Sequence, residues 1–427
     1  MASDVEMMMK LKSPEVLSDL SRLYGQQEGM LVHQAERYSA LLKWHISQYG
    51  AGKPVMMISA PGRSEIGGNH TDHNNGKVLA AAINLDTLCA VTRREDMLVH
   101  LQSEGYSPIT MDLTDTSVRP DEIGTTASLI RGVAAGMKEK GYAIGGFDAC
   151  VTSEVLSGSG LSSSAAFEVM MTAVFDKLFN GFTMTNEERA RISQFAENVY
   201  FGKPSGLLDQ MGSATGGLVY MDFKSETTKV EPVPYDFSQK GYALAVVATG
   251  GSHDNLTAEY AAIPAEMKQV AAFFGKRVLR EVCYQEFLQK LPQVRAATSD
   301  RAVLRAMHYF AENDRVDRQV QALRDDNVAA FLKEIISSGQ SSFMYLQNLY
   351  AFKEHQELPV ALCLAQRMLE GQGAWRVQGG GFAGTTLNFV PMEMVPRFTE
   401  TMEQVFGAGS CRILAIRPVG AYCISLG

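Results

Sequence analysis

The most pointed chemistry lies at residues 156–166, which read L-S-G-S-G-L-S-S-S-A-A. Glycines let a backbone approach a ligand closely. Where such a loop runs into a helix, free N–H groups and the positive end of the helix dipole favour an anion such as phosphate. The serines add hydroxyl donors, and one of them can ligate Mg²⁺. A helix cap with a flexible turn uses the same residue types. The serines after G-S-G-L, followed by small apolar residues, tip the reading toward phosphate. Residues 60–76, A-P-G-R-S-E-I-G-G-N-H-T-D-H-N-N-G, bring Arg63, Glu65, His70, Asp72 and His73 into one polar segment. Its glycines and asparagines predict a loop, where binding residues concentrate. Two histidines beside an aspartate could take a metal. Alternating donors and acceptors suit a hydroxyl-rich ligand better, and a solvated polar turn is the plain alternative.

In residues 200–212, Y-F-G-K-P-S-G-L-L-D-Q-M-G, Asp209 stands among Leu207, Leu208 and Met211. A carboxylate in such company needs a cation or hydrogen-bond donors, unless it merely caps a helix. Glu197 precedes it on a predicted helix, where an exposed glutamate is the ordinary explanation. Residues 377–386, V-Q-G-G-G-F-A-G-T-T, set glycines beside Phe382 between apolar strands. They predict either close packing against a ligand or another loop, or a tight turn. The common nucleotide and hydrolase signatures G-x-x-x-x-G-K-[ST], H-E-x-x-H and G-x-S-x-G are missing, and no G-x-G-x-x-G joins a strand to a helix.

The elements that must position these residues follow from hydrophobic patterning. Residues 13–48 read as helical. Residues 55–60 form an apolar strand closed by Pro61–Gly62, and 77–91 and 147–154 are further strands. A helix spans 164–179 and another 187–199, and a strand covers 218–223. The polar, proline-bearing stretch 224–238 marks a domain boundary near its start. A strand at 242–249, helices at 258–280, 301–324, 328–347 and 395–406, and a strand at 412–417 complete an α+β chain.

The chain has 427 residues, with Lys+Arg 39 and Asp+Glu 47, a formal net charge of −8. That length exceeds what one hydrophobic core usually holds. The acidic balance argues against nucleic acid, whose binders show a basic face. No apolar run is long enough to span a bilayer, so no membrane is expected, and residues 1–14 lack the pattern of a signal peptide. The cysteines lie far apart with no Cys-x-x-Cys, which fits reduced thiols and a cytoplasmic protein.

The order P-G-R-x-x-x-x-G-x-H-T-D, G-S-G-L-S-S-S-A-A, G-L-L-D-Q and G-G-G-F-A-G resembles that of galactokinases, members of the GHMP small-molecule kinases, over essentially the whole chain. The resemblance implies an N-terminal α/β domain and a C-terminal ferredoxin-like domain with the active site between them. It assigns residues 1–223 to sugar and ATP binding and 224–427 to the C-terminal GHMP kinase domain. It implies transfer of the ATP γ-phosphoryl group to a sugar's anomeric hydroxyl. Arg63 and Asp209 match the catalytic pair, and Ser164 and Glu197 the Mg²⁺ ligands. Gly158, Ser159, Gly160, Leu161, Ser162, Ser163 and Ser164 match the phosphate loop. Asn69, His70, Asp72, Gly206 and Tyr260 fall where the family contacts the sugar. A monomer binding sugar and ATP is expected.

Departures from the family pattern cluster on the sugar side. Asn69 and His73 stand where the family usually has Glu and Tyr, Glu65-Ile66-Gly67 replaces Asn-Leu-Ile, and Ile263 and Pro264 replace basic residues. Galactose is the expected substrate. Galacturonate, arabinose or an amino sugar is the alternative, and a non-catalytic sugar sensor a more distant one.

Overall fold

A computed structural model describes residues 4–25, 28–155, 160–225, 227–251, 256–382 and 384–426. Within them, β1 (Met56–Gly67), β2 (Lys77–Arg93), β3 (Leu98–Ser103), β4 (Ile109–Asp112), β5 (Phe147–Ser153), β6 (Leu218–Asp222) and β7 (Lys229–Pro232) belong to the first sheet. The second contains β8 (Tyr242–Ala248), β9 (Ala374–Gln378), β10 (Thr385–Pro391) and β11 (Cys411–Leu414). The last strand, β12 (Tyr422–Ser425), returns to the first sheet, whose order is β12-β1-β2-β5-β3-β4, with β6 and β7 added along β2. Among the described residues only β3 and β5 pair in parallel; the second sheet, β11-β8-β10-β9, is antiparallel.

The first sheet is covered on both faces, so its long strands carry apolar residues at successive positions. Ile58, Ala60, Cys89 and Val91 face one core, while Met57, Leu88 and Ala90 face another, as the two-residue period of a strand requires. The helices α1 (Asp4–Lys10), α2 (Pro14–Tyr24) and α3 (Glu28–Tyr49) supply the second of these cores. The first core takes α4 (Thr126–Glu139), α5 (Ser163–Phe179), α6 (Asn186–Phe195) and α7 (Leu208–Thr215). A buried ion cluster pins the N-terminal helices: Arg37 Nη1 lies 2.6 Å from Asp86 Oδ1, Arg417 Nη1 lies 3.1 Å from its Oδ2, and Tyr24 and Ser59 donate to the same carboxylate.

The remaining helices are α8 (Thr257–Phe273), α9 (Tyr284–Gln289), α10 (Leu291–Ala297), α11 (Asp300–Arg324), α12 (Val328–Ser341), α13 (Glu357–Leu369) and α14 (Val395–Phe406). One core joins both sheets: Ile66, Leu79 and Ala81 of the first pack in the same cluster as Leu244, Leu387 and Phe389 of the second, with Phe331 and Val316 between. Among the described residues no helix is long and apolar enough to cross a membrane.

Three local expectations are corrected. The helix read at residues 13–48 is broken after Tyr24, where Gly25 takes φ +97. The helix read at 258–280 stops at Phe273. Pro61–Gly62 does not close the first strand: β1 runs through it to Gly67, with register shifts between Pro61 and Arg63 and between Glu65 and Gly67. A bulge absorbs the irregularity that a proline brings to a ladder. Arg63 and Glu65 therefore stand on a strand rather than in the predicted loop, which is confined to the stretch after Gly67.

Candidate active site

The bulge on β1 aims Arg63 across the sheet end at α7. Its Nε lies 2.7 Å from Asp209 Oδ1 and its Nη2 2.6 Å from the same oxygen. Its Nη1 donates to the Gly160 carbonyl at 2.6 Å. Ser162 sits ahead of α5 in the left-handed region at φ +59, and its hydroxyl donates to Asp209 Oδ2 instead of capping the helix. The Asp209 side chain is 32% exposed, whereas that of Arg63 is 7% exposed. Desolvation pulls the Asp209 carboxyl upward, but Arg63, Ser162 and Lys203 outweigh it and hold it below the ordinary value of 3.8. Gly160, Leu161 and Ser162–Ser164 thus adjoin this pair. The predicted phosphate-loop residues Gly158 and Ser159 lie outside the described residues.

At the second residue of α5, Ser164 Oγ donates to Glu197 Oε1 at 3.0 Å. Glu197 is not the exposed helix residue of the plain reading: it lies in a π-helical turn, and its side chain is 2% exposed. Lys203 Nζ reaches the same oxygen at 3.2 Å. On the other side, Gln210 Nε2 donates to Glu197 Oε2 at 2.7 Å and to Glu168 Oε2 at 3.1 Å. Burial and the nearby Glu197 push the Glu168 carboxyl well above its ordinary value. Lys203, Gln210 and Glu168 were missed by sequence reasoning. Glu168 left a signal, an acid between Ala165 and Val174 in the apolar run of α5. For Mg²⁺ the donor chemistry fits: a hydroxyl and a carboxylate oxygen converge, and Mg²⁺ takes few protein ligands beside phosphate and water.

On the sugar side, the structure draws most of the predicted residues onto the glycine segment at 379–381. Asn69 is buried at 0% exposure. Its Nδ2 donates to Glu65 Oε1 at 2.8 Å and to the Gly379 carbonyl at 2.7 Å. Its Oδ1 accepts from Asn348 at 3.0 Å and from Ser342 at 3.2 Å. His70 hydrogen-bonds the Gly380 carbonyl through Nε2 at 2.9 Å, so that nitrogen carries the proton. Burial and the neighbouring His73 lower its pKa to about 3, which keeps the ring neutral and makes Nδ1 an acceptor. The Tyr260 hydroxyl donates to the Gly381 carbonyl at 2.6 Å, and its ring meets Phe382 edge-on at 5.1 Å.

Asp72 and Gly206 sit together a short way off, and a Cβ at Gly206 would overlap the Asp72 carboxylate. They border a polar cavity of about 590 Å³ shared with Arg191, Lys224, Arg277 and Arg280. Behind the sugar loop lies a buried polar hub. Arg376 Nη2 meets Glu65 Oε1 at 2.5 Å, and Arg376 Nη1 donates to the Ile66 carbonyl at 2.8 Å. His308 Nε2 donates to the Asn69 carbonyl at 2.9 Å, which makes its Nδ1 the acceptor from Ser341 at 2.8 Å. Glu312 accepts from the Gly68 amide at 3.1 Å and from Ser338 at 2.7 Å, and pairs with Arg315.

Comparisons with known proteins place the chain among relatives. Residues 43–93 match the galactokinase galactose-binding signature, and residues 128–217 the GHMP kinases N terminal domain. The chain is 30% identical to a galactokinase of Streptomyces coelicolor over 85% of this chain and 92% of that protein. It is 32% identical to one from a serotype 3 strain of Actinobacillus pleuropneumoniae over 82% and 88%. Its fold superposes on the Lactococcus lactis galactokinase crystallised with galactose at a TM-score of 0.80, with 25% identity over 90% of this chain and 99% of that one. A mevalonate kinase shares the fold at a TM-score of 0.59 with 13% identity, covering 86% of this chain and 98% of that one.

Proposed function

Since the chain belongs to the galactokinase family of GHMP kinases, which use ATP to phosphorylate sugars, we propose that it joins the γ-phosphoryl group of ATP to the anomeric hydroxyl of galactose, with Arg63 and Asp209 as the reacting pair. The observation that supports this most is the Asp209 carboxylate, part-exposed, bonded to Arg63 and Ser162, and tied through Arg63 to the Gly160 carbonyl. Phosphoryl transfer asks little covalent chemistry of a protein and much positioning and charge stabilisation. A carboxylate held below its ordinary pKa is a weak acceptor from a free hydroxyl. Asp209 therefore orients the anomeric hydroxyl and takes its proton late, as the bond to phosphorus forms. Arg63 keeps Asp209 ionised and offsets charge growing on the transferred group.

Ser164 and Glu197 would hold Mg²⁺, which supplies charge neutralisation on the phosphate oxygens. Lys203, on the same Glu197 oxygen, adds a further positive charge. His70 presents a neutral acceptor, and Asp72, Gly206 and Tyr260 complete the sugar surface. On this reading residues 1–223 hold the phosphate loop and the catalytic pair. Residues 224–427 contribute Tyr260 and the glycine segment, and send β7 and β12 back to the first sheet. A monomer in the cytoplasm, where ATP is made, belongs to the same proposal.

The test is ADP release over a panel of galactose, glucose, galactosamine, arabinose and galacturonate. Galactose is expected to give the highest kcat/KM. Galacturonate or arabinose ahead by about tenfold or more would remove galactose as the substrate. No ADP release with any sugar would remove the kinase reading altogether.

A further inference from the structure

The carbonyls of Gly379, Gly380 and Gly381 accept, in that order, from Asn69 Nδ2, His70 Nε2 and Tyr260 Oη, at 2.7, 2.9 and 2.6 Å. Three residues that align with sugar contacts are thus hung on three consecutive backbone acceptors. One further side chain ties Asn69 to the middle carbonyl of the three. Asn348 follows α12 and its π-helical continuation, and is 0% exposed. Its Nδ2 donates to Asn69 Oδ1 at 3.0 Å and to the Gly380 carbonyl at 3.0 Å. Its backbone carbonyl accepts from the Phe382 amide. Its Oδ1 is buried and has no partner among the described residues, so the bonds that hold the side chain are those of its amide nitrogen.

We propose that Asn348 is a positioning residue for sugar recognition. It holds Asn69 and the glycine segment in one register, so that the carbonyl ladder sets where His70 and Tyr260 meet the sugar. Asn69 is on this account a strut of the ladder and not a sugar ligand, since all of its amide capacity is spent on Glu65, Gly379, Ser342 and Asn348. The absence of side chains in the segment is part of the device: a Cβ at Gly380 would come within 2.7 Å of Tyr260 Cε1. The inference rests on the galactokinase reading of the site.

The experiment compares Asn348→Ala and Gly380→Ala with the wild-type chain in steady-state kinetics, and measures galactose binding without ATP by calorimetry. Asn348→Ala removes two neutral hydrogen bonds, so the galactose KM and the calorimetric Kd should rise by about tenfold or more. The KM for ATP and kcat at saturating galactose should stay within about twofold, because Arg63, Asp209 and Ser162 take no bond from Asn348. Gly380→Ala leaves the Asn348 side chain intact and displaces Tyr260, so it should give the same split even where Asn348→Ala fails to fold. An active wild type in which both variants keep the galactose KM, or in which kcat and both KM values worsen together, overturns the ladder alone. A wild type that phosphorylates no sugar overturns the kinase reading and the ladder with it.

Discussion

At the phosphoryl end, Asp209 keeps 32% of its side chain exposed and relies on one arginine and one serine. At the sugar end, Asn69 and Asn348 are wholly buried, and Arg376, His308 and Glu312 behind them are as well. On the proposed reading charge must be reachable where it is transferred, and the first region does leave its carboxylate part-open beside a neighbouring cation. Recognition, on the same reading, needs fixed directions more than field strength, and the second region offers backbone carbonyls backed by a buried polar hub. The first should be sensitive in rate and tolerant in stability, and the second the reverse.

The largest expected effect tests the hub. Arg376→Met leaves the Glu65 carboxylate buried beside a lost partner, which should cost about 3–5 kcal/mol of unfolding free energy in urea titration. Exchanging Glu65 and Arg376 together for apolar residues should recover much of it. A single variant within about 1 kcal/mol of wild type would show that the hub does not hold the sugar end.

Next in size, Asp209→Asn should lower kcat by about 10²-fold or more with the unfolding midpoint nearly unchanged. Retention of more than about a tenth of wild-type kcat would take Asp209 out of the mechanism. Glu197→Gln should raise the Mg²⁺ concentration for half-maximal rate several-fold and spare the galactose KM. An unaltered Mg²⁺ dependence would make Glu197 a purely structural partner of Gln210.

The smallest effects are in pH. Asp209 is held below 3.8, so the acid limb of kcat should fall beneath that value, with a flat profile through the ordinary carboxylate range. Stability should respond earlier. His70 and His308 are kept neutral by burial, each below its ordinary 6.5. The unfolded chain takes up protons that the folded one refuses, so stability is full above 6.5 and declines as pH falls below it. A urea midpoint no lower at about pH 5 than at about pH 7 would refute that assignment.

Much of the phosphoryl end was legible in the sequence because its residues travel in short motifs. The serine run, Arg63 behind Pro-Gly and Asp209 in G-L-L-D-Q each carry their own neighbourhood. The sugar end was not legible in the same way. Asn69 takes its fate from Asn348 and Gly379, 279 and 310 positions away, and no local pattern announces such partners. Read by type alone, it looks like a ligand. The strand through Pro61–Gly62 was hidden for a different reason: propensity there says stop, while pairing with β2, of Pro61 with Asp86 and of Arg63 with Ala82, carries the ladder on. Elements such as α5 and β2 followed periodicity closely because each buries continuous apolar faces, and α11 kept its bounds although its buried face also carries Arg305, His308 and Glu312.

The core that joins the sheets has a consequence for turnover. Leu79 and Ile66 of one sheet and Leu244 and Phe389 of the other fill a single interior, and a large apolar contact of that kind suppresses relative movement of the parts it joins. The expectation is that sugar and nucleotide enter, and their phosphorylated and spent forms depart, by local displacements around this shared interior and not by a swing of one sheet against the other. Loosening Leu244 or Phe389 would then shorten the enzyme's lifetime on heating long before it altered how fast a product escapes.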